Sequence, residues 1–260
     1  MSKELISVSE LSAYLYCPRK LWLSKIRGIR EPPSREMILG RIKHKALENF
    51  NILEKNFIKT LDSSKREKEL EEIYSNLIRQ AAIQAFQLNK NVAETFDINL
   101  TTFLAEFIHS TEREVEIRVP PLLEALKKYR GAEIWWNLSP KYSSELSIIS
   151  EKLGLKGRID RVAFAEEILP FEIKTRVKQE VYLGDKIQLA AYALLLEDKT
   201  NKKVSKGIIE LRNSKKEIEL TDDLKKQVLE LAEKVRNLQG EFPSSFSKCE
   251  SCSLKEECSK

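Results

Sequence analysis

The chain has 260 residues, of which 42% are hydrophobic and 33% charged, and it carries a net charge of +5. That length buries a substantial core as one domain with an insertion or as two small domains, and the apolar content is that of a globular chain. No apolar run approaches the roughly 20 residues that span a bilayer, and residues 1–10 lack the apolar stretch of a signal peptide, so a cytoplasmic location without membrane association is expected.

In chain order, Ser7 and Glu10 form a capping-box pair that predicts a helix through Leu11, Tyr14 and Leu15. Pro18 marks a break or a new helical start, with Cys17 at the junction. Residues 19–45 hold nine positive side chains against Glu31 and Glu36, a net of +7 that leaves −2 for the remainder. Such a stretch suits either a groove that follows phosphates or a solvated helix face. Tyr14 and Trp22 can stack bases or fill core. After a loop at residues 31–34, a helix is predicted from 36 to about 55, with Ile38, Ile42, Ala46, Leu47 and Phe50 on one side and His44 within it. Residues 56 to about 130 keep helical periodicity through Leu70, Ile73, Leu77, Ala81, Ala85, Phe86, Phe103 and Phe107. They read as a helical insertion, a lid or arm over a substrate channel. His109 has no metal-like partner at helical spacing and reads as a surface or packed histidine.

From Gly131 the pattern changes, and residues 133–138 and 145–150 read as strands. Two further strands, 157–163 and 168–173, are joined by a polar turn at 165–167, with Ile159, Val162, Phe164, Leu169 and Ile173 between charged residues. A charge inside such a strand needs a reason, because a buried carboxylate is costly unless paired or bound to a metal. Glu172 and Lys174 leave the same face of a strand, and a hairpin brings Asp160 beside them. Oxygen ligands of this kind suit Mg2+ or Mn2+. The chemistry that fits is phosphodiester hydrolysis, with Lys174 orienting the attacking water or neutralising developing charge. The same residues also read as solvated charges on an edge strand, with Lys174 as ion-pair partner. Glu145, 15 residues before Asp160, either joins the acidic cluster or faces water.

Asp185 is predicted to cap a helix in which Gln188 and Tyr192, four apart, share one face. They either hold a phosphate or the lysine in register or belong to an ordinary packed helix. Residues 204–211 and 217–220 suggest a hairpin turning at Asn213 and Ser214. Thr221 or Asp222 then caps a helix ending before Gly240. Beyond it, Cys249, Cys252 and Cys258 fall within ten residues, and Cys17 is the fourth cysteine. Four thiolates hold an iron–sulfur cluster or a structural zinc, and spacing alone does not choose.

The run GRID at 157–160, followed by a strand ending EIK at 172–174, resembles the second and third motifs of the PD-(D/E)xK nucleases in their RecB-like branch. GRIKHKALE at 40–48 resembles the first motif, and QLAAY at 188–192 the glutamine–tyrosine motif of the same branch. One early cysteine and three late ones around such a core is the arrangement of the iron–sulfur nucleases. Over residues 9–48 and 145–258 the chain resembles the CRISPR-associated Cas-four family.

That resemblance implies an α/β fold: a restriction-endonuclease-like core with a large helical insertion and an iron–sulfur region joining the N- and C-terminal segments. The expected division is 1–55, a helical segment with Cys17 and His44; 56–130, the insertion; 131–240, the nuclease core; and 241–260, the cysteine segment. By likeness, His44, Asp160 and Glu172 bind Mg2+ or Mn2+ with the backbone carbonyl of Ile173. Lys174 assists the water, Gln188 and Tyr192 position the strand, and Cys17, Cys249, Cys252 and Cys258 hold a cluster, 4Fe-4S rather than 2Fe-2S. The implied activity is exonucleolytic digestion of single-stranded DNA ends in CRISPR adaptation, with integrase proteins as partners and a homo-oligomer allowed. The alternative is a non-catalytic DNA-end-binding subunit of a spacer integration complex. A zinc-stabilised DNA-binding protein is a third reading.

Overall fold

The structure is a computed structural model, and it describes residues 4–61, 65–174, 179–211, 214–240, 242, 249–250 and 252–259. Strand β1 (Ile6–Ser7) leads straight into α1 (Val8–Tyr16). Ser7 is extended, its Oγ accepts the Glu10 N–H at 3.2 Å, and Glu10 Oε2 accepts the Ser7 N–H at 2.7 Å, which is the capping box expected there. Cys17 ends α1 and caps α2 (Pro18–Lys25), where proline takes the first helical position and loses no hydrogen bond. Helices α3 (Arg35–Lys59), α4 (Glu67–Leu88), α5 (Lys90–Thr95) and α6 (Leu100–Lys128) account for the long helical periodicity, and α7 (Ala132–Asn137) follows. Then come β2 (Lys141–Ser150), β3 (Leu155–Phe164), β4 (Ile168–Lys174), α8 (Leu183–Thr200), β5 (Lys206–Leu211), β6 (Ser214–Glu219), α9 (Asp222–Arg236) and α10 (Lys255–Ser259).

The chain forms two compact units. The first comprises residues 1–32, 146–162 and 167–260, and the second residues 33–145 and 163–166. The first is built on a sheet ordered β1-β3-β4-β5-β6, with β2 also paired to β3. β4 and β5 run parallel, with Glu172 opposite Ile209 and Lys174 opposite Leu211. A parallel pair needs a crossover, which α8 provides, and α8 packs on both strands and against α1 and α9. Two glycines permit that packing. A Cβ on Gly207 would lie 2.8 Å from two Leu189 carbons, and one on Gly157 would lie 2.8 Å from Val8 Cγ2 and 2.9 Å from Leu195 Cδ1. β4 has neighbours on both sides, so the edge-strand reading of its charges is corrected: they lie within the sheet. The hairpin expected after residue 204 forms as antiparallel β5 and β6, whose turn residue Asn213 lies outside the described residues. Thr221 Oγ1 caps α9 by accepting the Leu224 N–H at 3.2 Å.

The second unit is helical, with Ile38, Ile42, Phe50, Tyr74, Phe103, Phe107 and Leu122 buried at its centre. Phe103 lies 5.7 Å from Phe86 and 5.6 Å from Phe107, ring centre to ring centre. Buried in the same unit, Arg118 donates through Nε to Glu114 at 2.8 Å and through Nη1 to Glu54, and Tyr74 donates to Glu54 at 2.9 Å. Charges this deep are tolerated because each is paired. Residues 133–138 are not a strand as expected. Gly131, at φ +54°, turns the chain, its N–H bonds the Leu61 carbonyl at 2.6 Å, and a short helix follows that buries Ile134. The β preference of the tryptophan pair is overridden by that tertiary anchor. Among the described residues no helix is long and apolar enough to cross a membrane.

Candidate active site

In the first unit, β4 and α8 bring the expected residues together. Glu172 is 3% exposed. Lys174 Nζ lies 2.6 Å from Glu172 Oε1, donates to Gln188 Oε1 at 2.8 Å, and stands 3.6 Å from Asp185 Oδ1. Asp160, on the neighbouring strand, accepts the Ile173 N–H at 2.6 Å, so it sits against the backbone between Glu172 and Lys174. Burial raises the Glu172 pKa above the usual carboxylate value, against the Lys174 ammonium and a hydrogen bond from Tyr192, while the Asp185 charge adds to the rise. Its second oxygen, Oε2, is buried with no hydrogen-bond partner. An orphaned anionic oxygen beside a second carboxylate fits a bound divalent cation.

Asp185 is not the cap of its helix as expected. Tyr182 is the cap, and Asp185, in the first turn, accepts the Tyr182 N–H at 2.8 Å through Oδ2 while Oδ1 faces Lys174. The sequence signal for this second role was its spacing, three residues before Gln188 on one helical face. Lys174, Asp185 and Gln188 line a cleft of about 970 Å³ together with Ser12, Tyr16, Lys20 and Ser24 of α1 and α2. A cleft of that size admits a nucleotide chain beside Lys174.

In the second unit, His44 Nδ1 on α3 stands 2.8 Å from Glu145 Oε1. Glu145 is 6% exposed, so of the two readings for it, facing water is excluded. It holds φ +56°, a backbone region that non-glycine residues seldom adopt. Its neighbour Ser144 is clamped: Asn51 Oδ1 accepts the Ser144 N–H at 3.2 Å, Asn51 Nδ2 donates to the Ser144 carbonyl, and Arg118 donates to Ser144 Oγ at 2.9 Å. Asn51 follows His44 by seven residues on the same face of α3, so one helix carries the histidine and fixes the strand that presents its partner.

The four cysteines line one cavity of about 350 Å³, together with Tyr16, Arg19, Lys20 and Leu23. Burial raises the Cys258 thiol pKa; Arg19 lowers it, and Cys17, Cys249 and Cys252 each raise it further, as neighbouring thiols do. Arg19 also donates to the Cys258 carbonyl. Among the described residues no three of His, Cys, Asp and Glu converge as ligands of a single ion. The basic stretch is partly neutralised within each unit: Lys20 pairs with Glu31, Lys25 with Glu4 and Glu10, Lys43 with Glu106 and Lys45 with Glu48. Trp22 is half-buried against Gly240 and Phe242, its ring centre 6.1 Å from that of Phe242. His109 is a surface residue beside Glu112.

The sequence profile of the PD-(D/E)XK nuclease superfamily matches residues 5–259, and the chain belongs to that superfamily. It is similar to a CRISPR-associated exonuclease Cas4/endonuclease Cas1 fusion from Leptospira interrogans, with 28% identity over 149 residues. That match takes in 50% of this chain and 28% of the fusion, so the chain spans under a third of that relative's length. Among solved structures, a putative exonuclease from Eubacterium rectale aligns over 98% of this chain and 88% of its own, with 12% identity and a TM-score of 0.45.

Proposed function

We propose that the chain is a metal-dependent deoxyribonuclease that shortens single-stranded DNA from its ends and processes spacer precursors in CRISPR adaptation. The observation that carries the reading is Lys174 held between Glu172 and Gln188 on the wall of an open cleft, beside a buried carboxylate oxygen that nothing satisfies. Asp160 and Glu172 would hold Mg2+ or Mn2+, with the Ile173 carbonyl as a further ligand by family likeness. A divalent ion supplies Lewis-acid polarisation of the phosphodiester there. Lys174 pairs with Glu172, donates to Gln188 and stands 3.6 Å from Asp185, and from that position its ammonium would orient the attacking water or meet charge developing on the phosphoryl oxygens. Gln188 fixes the lysine, and Tyr192 fixes Glu172. The cavity lined by all four cysteines fits an iron–sulfur cluster, 4Fe-4S by likeness, that would tie Cys17 to Cys249, Cys252 and Cys258. The Cas1 portion of the Leptospira relative supports an integrase as partner.

The test is incubation of anaerobically purified protein with end-labelled single-stranded DNA and Mn2+, beside Asp160→Ala, Glu172→Ala and Lys174→Ala. Each substitution is expected to lower cleavage by about a hundredfold or more while leaving folding and DNA binding in place. Undiminished cleavage by all three variants overturns the site. DNA binding without cleavage by the wild type favours the end-binding subunit instead.

A further inference from the structure

The second unit carries an aromatic and basic platform that none of the machinery described above uses. α7 presents Trp135 and Trp136 side by side. Trp135 packs partly on the helical core, whereas Trp136 is 69% exposed. Three lysines from two other elements surround them: Lys55 lies 6.0 Å from the Trp135 ring centre, Lys59 5.9 Å from Trp136, and Lys141 5.1 Å from Trp135 and 5.9 Å from Trp136. Lys141 also donates to the Trp135 carbonyl at 3.4 Å. Ile52, one turn before Lys55 on α3, adds exposed apolar surface.

Among the described residues the charge of this platform has no carboxylate partner. The lysines of the 19–45 stretch have carboxylate partners, but among the described residues none of Lys55, Lys59 and Lys141 has one within ion-pair distance. Burial and then the neighbouring Lys55 charge hold the Lys141 pKa below the usual lysine value. The indole faces offset part of the repulsion among the three lysines, and a bound anion would offset more. The platform is also rigid, because Gly131 bonds the Leu61 carbonyl at the end of α3 and Ile134 is fully buried. Little ordering is then left to oppose binding.

An anion that brings flat apolar faces with it is a single-stranded nucleic acid. Bases stack on aromatic rings without sequence preference, while lysines take up the phosphates. We propose that Trp136, with Trp135 beneath it, and Lys55, Lys59 and Lys141 form a second, sequence-tolerant binding site for single-stranded DNA. This rests on the nuclease reading, since the same strand is the substrate. The site contributes affinity rather than chemistry.

The test is fluorescence anisotropy of labelled oligothymidylate with the full chain in EDTA at several salt concentrations, alongside cleavage with Mn2+. Trp136→Ala is expected to weaken binding roughly tenfold, and Trp136→Phe to restore most of it. Lys59→Gln combined with Lys141→Gln is expected to lower the slope of log affinity against log salt by about 1.4, from about 0.7 per phosphate contact on a single strand. The lysine pair serves as the second variant should Trp136→Ala disturb folding, which circular dichroism reports. Wild-type affinity and salt slope in both variants, with a wild type that binds and cleaves, overturn the platform alone and leave the surface to a protein partner. A wild type that neither binds nor cleaves single-stranded DNA overturns the nuclease reading and the platform with it.

Discussion

Glu172 sits in the middle of a sheet with its charge opposed by burial and supported by Lys174 and Tyr192. Burial wins, so the folded protein holds the carboxyl proton more tightly than the unfolded chain does. A raised carboxylate pKa costs nothing below the ordinary value of 4.5 and costs stability increasingly as pH rises from there through the raised value. Glu172→Gln keeps the shape and removes the charge. In EDTA its melting temperature is expected to match that of the wild type in acid and to exceed it at neutral pH, while cleavage is lost throughout. A variant less stable than the wild type at neutral pH would mean that the ion pair outweighs the burial. The same conflict is what made Asp160, Glu172 and Lys174 legible: charges in an apolar strand advertise themselves by their cost. Glu145 gave a weaker signal, because the residues that fix its neighbour Ser144, Asn51 and Arg118, lie far from it in sequence.

α8 is placed by residues that have no chemistry of their own. Leu189, beside Gln188, rests on Gly207 of β5 at a distance that leaves no room for a methyl group. Gly207→Ala is therefore expected to destabilise the fold by about 1–3 kcal/mol in a denaturant titration. Cleavage should fall further than the loss of folded protein explains, because Asp185, Gln188 and Tyr192 move with the helix. Unchanged activity per folded molecule would mean that the helix tolerates the shift. The helices and their caps were legible at Ser7, Pro18 and Thr221, where a side chain bonds the nearby backbone or a ring fixes it. α7 was not, since six residues hold too little periodicity to outvote two tryptophans, and the glycine turn that decides it acts through Leu61. β1 was invisible because two residues carry no pattern; its pairing with Leu155 and Lys156 supplies its definition.

At the scale of the molecule, the cysteine cavity draws together residues more than 230 positions apart, and Arg19 holds the Cys258 carbonyl across that separation. A group bound to all four thiols acts as a cross-link over a very long loop, worth a few kcal/mol in the chain-entropy estimate of about 2–5. Cys258→Ser is expected to lose the brown colour of an iron–sulfur protein and to lower the thermal midpoint together. Colour lost with no change in melting would deny the cluster a structural role. The cysteine spacing was readable from sequence, whereas the sharing of one cavity by residue 17 and residues 249–258 was not, because it follows from the packing of α2 against α1 and α10. The sheet of the first unit sets a timetable for synthesis. Residues 33–145 emerge as nearly the whole of one unit and can fold while the ribosome is still at work. β1, made first, must wait for β3, and Lys174 waits for α8 and β5. Three of the thiols come later than the whole sheet. A half-made chain therefore holds a folded helical unit while the surroundings of Lys174 are still unfinished.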